Sequence, residues 1–451
     1  MTSRAARGCL ILLSVLAAAS VGRTAFVRAA ADPAAVQQAL DRFLSALDRD
    51  AAARLATDVV GSGVTFDDAY ARLKQGRNYS KTAPHGLRRL SNRTSDGLEH
   101  EYIVIAPDNY DAARAYQVRV QLHGGIGRPS PQPGRAGVDR IVGTRDQIYI
   151  HPNGWQKSMW WFANQVENIG GILDEVKRTY NVDENRVYLT GISDGGTGAY
   201  FMAFRDTTPW ASFLPLNGHM IVLANPSTGA DGDMHLGNAV NKPFFIVNGG
   251  RDPLYPTWSV EPYINLLQTM GTEVVYHPQP EAGHNTDWWP TERQSFETFV
   301  RDHPRDPLPD HMTWETERTD RYNRAHWLVI EELGPVQSES KLTGANVIDS
   351  DSNGSRSVSR DEIFPRRKRS GRVDLDRKGN IVNASTMGVR SFTLLLSPDE
   401  VDFSAPIKVV TNGHVAFDGK VTRSVSTLLK WAAHDNDRTM LFGAEIKVLV
   451  K

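Results

Sequence analysis

The chain has 451 residues, of which 40% are hydrophobic and 23% charged, with a net charge of −1. That length exceeds one ordinary domain, so two or three folding units are expected, and the near-zero charge provides no field to draw in nucleic acid or an acidic membrane surface. Cys9 is the single cysteine and falls in the N-terminal leader, so a processed chain has neither a disulfide framework nor a thiolate nucleophile.

Arg4 and Arg7 precede a short apolar run, Leu10-Ile11-Leu12-Leu13, that ends in small residues before Arg23. This is the form of a secretory signal over residues 1–30, too short to span a bilayer comfortably. The expectation is a bacterial secreted or periplasmic protein with no stable membrane span after processing. Residues 31–97 read as an N-terminal helical extension. Val36, Leu40, Phe43 and Leu47 share one face of a helix predicted over 33–60, and a second amphipathic piece covers 66–73. The extension is expected to pack over a sheet edge rather than serve as a lid.

Strand and helix then alternate. Residues 101–106 and 116–122 read as a hairpin, and 147–151 as a short strand. A helix is predicted over 165–180, a strand over 186–190, and a helix over 196–204. Strands at 212–216, 244–247 and 274–277 follow, with a crossover helix at 260–270. Such alternation predicts a mainly parallel sheet covered on both faces.

The chemistry-bearing residues fall at the ends of these strands. Gly191-Ile192-Ser193-Asp194-Gly195 lies at a strand-to-helix junction, where a tight turn would hold Ser193 exposed and only small flanking residues avoid a clash. His123-Gly124-Gly125 ends an upstream strand. Asp252 follows Gly249-Gly250-Arg251, and His284 follows Gly283 after the last core strand. A serine hydroxyl needs a base to take its proton, an imidazole can do so near neutral pH, and a carboxylate can orient that imidazole. The order is Ser193, Asp252, His284, with Asp287 as a competing acid.

Those four motifs resemble the α/β-hydrolases, close to the bacterial esterase and prolyl-oligopeptidase-like group, over residues 98–305. The resemblance implies a mainly parallel α/β-hydrolase sheet and a covalent acyl-enzyme. It also implies an oxyanion hole from the N–H of Asp194 and that of Gly125 or Ile126. No cofactor is implied. There is no His-Glu-x-x-His or carboxylate cluster for a metal and no Gly-x-x-x-x-Gly-Lys loop for a phosphate.

Trp155, Trp160 and Trp161 follow one core strand, while Trp288 and Trp289 lie in the loop carrying His284. These and His219 are candidate substrate-binding residues, with helix-to-sheet packing as the alternative.

Near Asp306-Pro307 the pattern turns strand-rich, predicting a small β-sandwich-like domain over 306–451 with a short helix at 428–433. Asn412-Gly413 and Asp418-Gly419 are hairpin signals. Residues 335–372 read as a long loop whose basic cluster, Arg366-Arg367-Lys368-Arg369 with Arg372, is expected to be solvated rather than to bind an anionic glycan or headgroup. The sequence therefore predicts an exported serine hydrolase acting on a small-molecule or glycan-linked ester, its oligomeric state open. The alternatives are a peptidase with the same site, or a carbohydrate- or surface-binding protein acting through its C-terminal domain.

Overall fold

The computed structural model describes residues 32–131, 146–335, 348–350, 356–358, 364 and 368–451. The leader, Arg366 and Arg367 lie outside the described residues.

Three helices come first: α1 (Pro33–Leu44), α2 (Arg49–Gly61) and α3 (Phe66–Gln75). The helix expected over 33–60 is thus two. Asp48 breaks it, because its carboxylate accepts from the Ala51 N–H at 2.7 Å and starts a new helix there.

The central unit contains β1 (Gly86–Arg93), β2 (Glu99–Ala106), β3 (Tyr116–Leu122), β4 (Ile148–Pro152), α4 (Ala163–Thr179), β5 (Val182–Ile192), α5 (Asp194–Arg205), β6 (Phe213–Leu216), β7 (Phe244–Gly249), α6 (Thr257–Thr269), β8 (Val274–Gln279) and α7 (Trp289–Asp302). Its eight strands lie in the order β1-β2-β4-β3-β5-β6-β7-β8. From β4 to β8 every pairing is parallel, whereas β1 and β2 pair antiparallel at one edge. The expected hairpin of β2 with β3 does not form, because β4 lies between them. Strand β1, upstream of residue 98, escapes notice in the sequence because half its residues are exposed, as suits an edge.

Alternate residues of the inner strands face opposite layers. Leu189, Phe244 and Ile246 pack with α4, α5 and α6, while Tyr188, Phe245 and Val247 pack with α7. The sheet is therefore covered on both sides, as its apolar strands require.

The C-terminal part carries β9 (His311–Thr316), β10 (Arg324–Ala325), β11 (Leu328–Leu333), β12 (Ile348–Ser350), β13 (Arg356–Val358), β14 (Gly371–Lys378), β15 (Ile381–Met387), β16 (Val389–Leu396), β17 (Ile407–Thr411), β18 (His414–Gly419), α8 (Val425–Asp435) and β19 (Ala444–Leu449). Two sheets, β10-β11-β16-β19 and β18-β17-β15-β14-β9, share a core that includes Trp314, Val373, Phe392 and Val448. Asn412 (φ 51°) and Gly413 (φ 81°) turn the chain between β17 and β18, the backbone such a two-residue turn demands. Asp418-Gly419 is not a turn. Both residues lie in β18, where Asp418 pairs with Lys408. Of the described basic residues, Lys368 and Arg369 are exposed and Arg372 is held by the Asp374 carboxylate at 2.7 Å.

The N-terminal helices do not cover a sheet edge. Leu40, Phe43, Val59 and Leu73 share a core with Leu428 and Leu429 of α8. Among the described residues no helix is long and apolar enough to cross a membrane.

Candidate active site

Strand β5 delivers Ser193 to its carboxyl end, and α5 begins at the next residue. Ser193 has φ 56° and ψ −119°, a conformation that a non-glycine residue adopts only when its surroundings enforce it. Its N–H donates to the Leu216 carbonyl at 2.9 Å, tying the turn to β6. The flanking glycines are sterically required. A Cβ on Gly191 would stand 2.0 Å from the Gly195 carbonyl oxygen, and one on Gly195 would stand 2.2 Å from that of Leu122. The side chain thus projects above the sheet, over the positive end of α5.

Asp252 lies on the turn after β7 and His284 on the loop after β8. Gly249 and Gly250 let these two segments touch. A Cβ on Gly249 would meet the Ala282 carbonyl oxygen at 2.4 Å, and one on Gly250 the Pro280 carbonyl oxygen at 2.4 Å. The Asp252 side chain is fully buried. Its Oδ1 accepts from the N–H groups of Leu254 (2.8 Å) and Tyr255 (3.0 Å), and its Oδ2 lies 2.6 Å from His284 Nδ1. His284 Nε2 lies 2.9 Å from Ser193 Oγ. Because an ionised carboxylate only accepts, Nδ1 carries the ring proton and Nε2 turns its lone pair to the serine hydroxyl. The competing acid, Asp287, is exposed and away from the imidazole's Nδ1 partner.

Two neighbours were not anticipated. Tyr255 sets its ring edge-on to His284, centroids 5.9 Å apart, and burial, then the charges of Asp194 and Asp252, push its phenol up to about 12. Asn217 (φ 46°) donates its amide to the Asn285 carbonyl at 2.7 Å and so anchors the His284 loop. The glycines around each triad candidate are legible in sequence, but nothing in sequence links Asn217 to Asn285.

The residues named for the oxyanion gather on the same side. Gly124 lies against Ser193, a Cβ there being 2.8 Å from Ser193 Cβ. Gly125 is exposed with φ 69°, while Ile126 is buried and gives its N–H to Asp194 Oδ2 at 3.0 Å. Burial lowers the His123 pKa, and its Nε2 accepts from the Gly154 N–H at 3.1 Å.

All five candidate tryptophans are buried, at 0–8% exposure. Trp160 donates to the His123 carbonyl, Trp161 to that of Thr228 and Trp288 to that of Asn285. Trp155 packs on the His100 ring, and Trp289 on Phe296. These contacts are those of packing. His219 is also buried. Its Nδ1 accepts from Ile221 N–H and its Nε2 faces the Ser259 carbonyl at 3.1 Å, and burial brings its pKa down to about 4. Leu254 (60%) and Trp258 (56%), on the segment that follows Asp252, are instead exposed.

No family model matches the chain. It is 27% identical over 264 residues to a probable feruloyl esterase C of Aspergillus niger, covering 53% of this chain and 89% of that protein. A probable feruloyl esterase C of Aspergillus terreus is 25% identical over 284 residues, covering 58% of this chain and 96% of that protein. Among solved structures, a thermostable esterase aligns with a TM-score of 0.39 and 20% identity, covering 49% of this chain and 63% of that one.

Proposed function

We infer that this chain, an α/β-hydrolase in fold and a hydrolase of the serine-esterase type, is an exported enzyme that cleaves carboxylic esters at Ser193. One observation carries the reading: Ser193 Oγ, His284 and Asp252 form an unbroken line of hydrogen-bonding distances, 2.9 and 2.6 Å. His284 Nε2 takes the hydroxyl proton as Oγ attacks the ester carbonyl. Asp252 holds the imidazolium that forms, and His284 then returns the proton to the departing alkoxide. Water, activated by the same imidazole, releases the acid from the acyl-enzyme.

The relatives' names point to a feruloyl group as the acyl part. Tyr255 beside His284, with Leu254 and Trp258 exposed on the same segment, provides apolar surface for an aromatic acid. The alcohol side is a small molecule or a glycan hydroxyl. Export rests on the charged and apolar pattern of the leader.

The test is hydrolysis of methyl ferulate and a p-nitrophenyl ester series, set against aminoacyl- and prolyl-anilides. Ester turnover should fall on the order of 10⁴-fold or more in Ser193→Ala. Ester turnover that survives that substitution would sink the reading, and cleavage of the anilides alone would move the enzyme to the peptidases.

A further inference from the structure

The side chain of Asp194 has no part in the reaction as drawn, yet it reaches across to the turn after β3. Its Oδ2 accepts from the Ile126 N–H at 3.0 Å. Ile126 is 1% exposed, so it cannot swing out to free that donor. The same turn is fastened upstream. The His123 carbonyl accepts from Trp160 Nε1 at 2.9 Å, and His123 Nε2 accepts from the Gly154 N–H at 3.1 Å. Gly124 and Gly125 are suspended between these fastenings. Gly124 touches the nucleophile. Among the described residues no group accepts from the Gly125 N–H, and the same holds for the Asp194 N–H in the open first turn of α5.

Resting on the serine-hydrolase reading, we propose that the Asp194 carboxylate is a positioning group. It clamps the oxyanion turn to the start of the nucleophile helix, removes Ile126 from the donor set, and leaves the N–H groups of Gly125 and Asp194 to bind the oxyanion. A carboxylate beside a developing negative charge is unfavourable unless it is itself neutralised. Here the Ile126 N–H and the helix N-terminus do so, and the Arg128 guanidinium flanks the same turn, 3.6 Å from where a Gly125 Cβ would stand. Donors aimed at an oxyanion act only while they are held in place, and the flexible Gly124-Gly125 pair cannot hold itself.

The test is the rate at which a fluorophosphonate probe modifies Ser193, together with kcat and KM on p-nitrophenyl acetate. In the labelling step the Oγ–P bond forms, the P–F bond breaks, fluoride leaves and the serine proton passes to His284. In Asp194→Ala both the labelling rate and kcat should fall about 30- to 100-fold with KM within about twofold. Asp194→Asn keeps an acceptor oxygen at the same reach and should recover most of that loss. If the alanine variant fails to fold, Asp194→Ser, whose hydroxyl is too short to reach Ile126, replaces it with the same expected loss. A purely structural role for Asp194 would lower the melting temperature and leave the labelling rate of the folded enzyme unchanged. Labelling of the truncated variant at the wild-type rate, or an asparagine variant as slow as the alanine one, would overturn the proposal while leaving the serine-hydrolase reading intact. Absence of labelling at Ser193 in the wild type would overturn both.

Discussion

His219 and His284 both follow core strands, yet their surroundings give the two rings different work. His284 shares its Nδ1 proton with a carboxylate and keeps partial access to solvent. His219 is enclosed by Tyr255, Tyr263 and two backbone groups, and among the described residues no carboxylate pairs with it to offset a charge. Burial therefore holds its pKa down to about 4, below the ordinary ~6.5 of an unfolded chain. The sign follows from which state binds the proton first. Between these values the unfolded chain is protonated and the folded one is not, so stability present above ~6.5 is lost as pH falls toward 4, by up to about 3 kcal/mol. Urea denaturation of wild type and His219→Asn at pH 4 and pH 7 checks this. The advantage of wild type should shrink at pH 4, and an offset equal at both pH values would refute it. At this scale the sequence was informative wherever glycine marked a tight approach, as at Ser193 and Asp252. It was silent on Tyr255 and Asn217, which act through a ring or an amide that crosses between loops.

Helices α1 to α3 were legible as amphipathic segments, but their partner was not. Apolar spacing says that one face must be buried and does not say against what. That face meets α8, more than 300 residues onward, with Leu40 and Phe43 beside Leu428 and Leu429. Tyr70 and Lys74 add bonds to the Asp399 carboxylate from α3, the latter at 2.6 Å. Phe43→Ala should accordingly cost about 3–5 kcal/mol in chemical denaturation, with kcat of the folded enzyme unchanged. A loss below about 1 kcal/mol would mean that this packing is not formed. The misread hairpin has the same origin. Strands β2 and β3 are neighbours in sequence and both apolar, but pairing is decided by what else enters the sheet, and β4 inserts between them.

The two halves of the molecule meet at a buried ionic cluster. Arg205 ends α5 and lies 2.6 Å from Glu317, just past β9, with both side chains fully buried. His235 bonds the same carboxylate at 2.9 Å. Burial opposes ionisation of Glu317, but the bonds from His235 and Arg205 outweigh it and hold the carboxyl far below its usual range. Burial likewise opposes a charged His235, but the carboxylates of Glu315, 3.5 Å from its Nδ1, and Glu317, which accepts from its Nε2, overcome it and raise its pKa. A histidine raised in the folded state contributes stability that is complete below ~6.5 and lost as pH rises through the higher folded value. Glu317→Ala strands the Arg205 charge and should cost about 3–5 kcal/mol. Because Glu315 stays beside His235, the substitution should also shrink, without removing, the alkaline part of the pH dependence, both read from denaturation midpoints between pH 6 and 9. A variant as stable as wild type, or one with the same alkaline slope, would contradict this coupling.

Some features were legible from the sequence because they are local. Strand and helix periodicity, the glycines that permit the turn at Ser193 and the order of serine, acid and base all follow from neighbours a few residues apart. Tertiary structure decided the rest, because each choice depended on groups distant in sequence. It placed Asp252 rather than Asp287 against His284, and it buried the tryptophans in packing. It also seated the N-terminal helices on α8 and turned the Asp194 carboxylate to Ile126. Chain spacing sets which groups are available, and only the folded path sets which of them come within the roughly 3 Å at which a hydrogen bond forms.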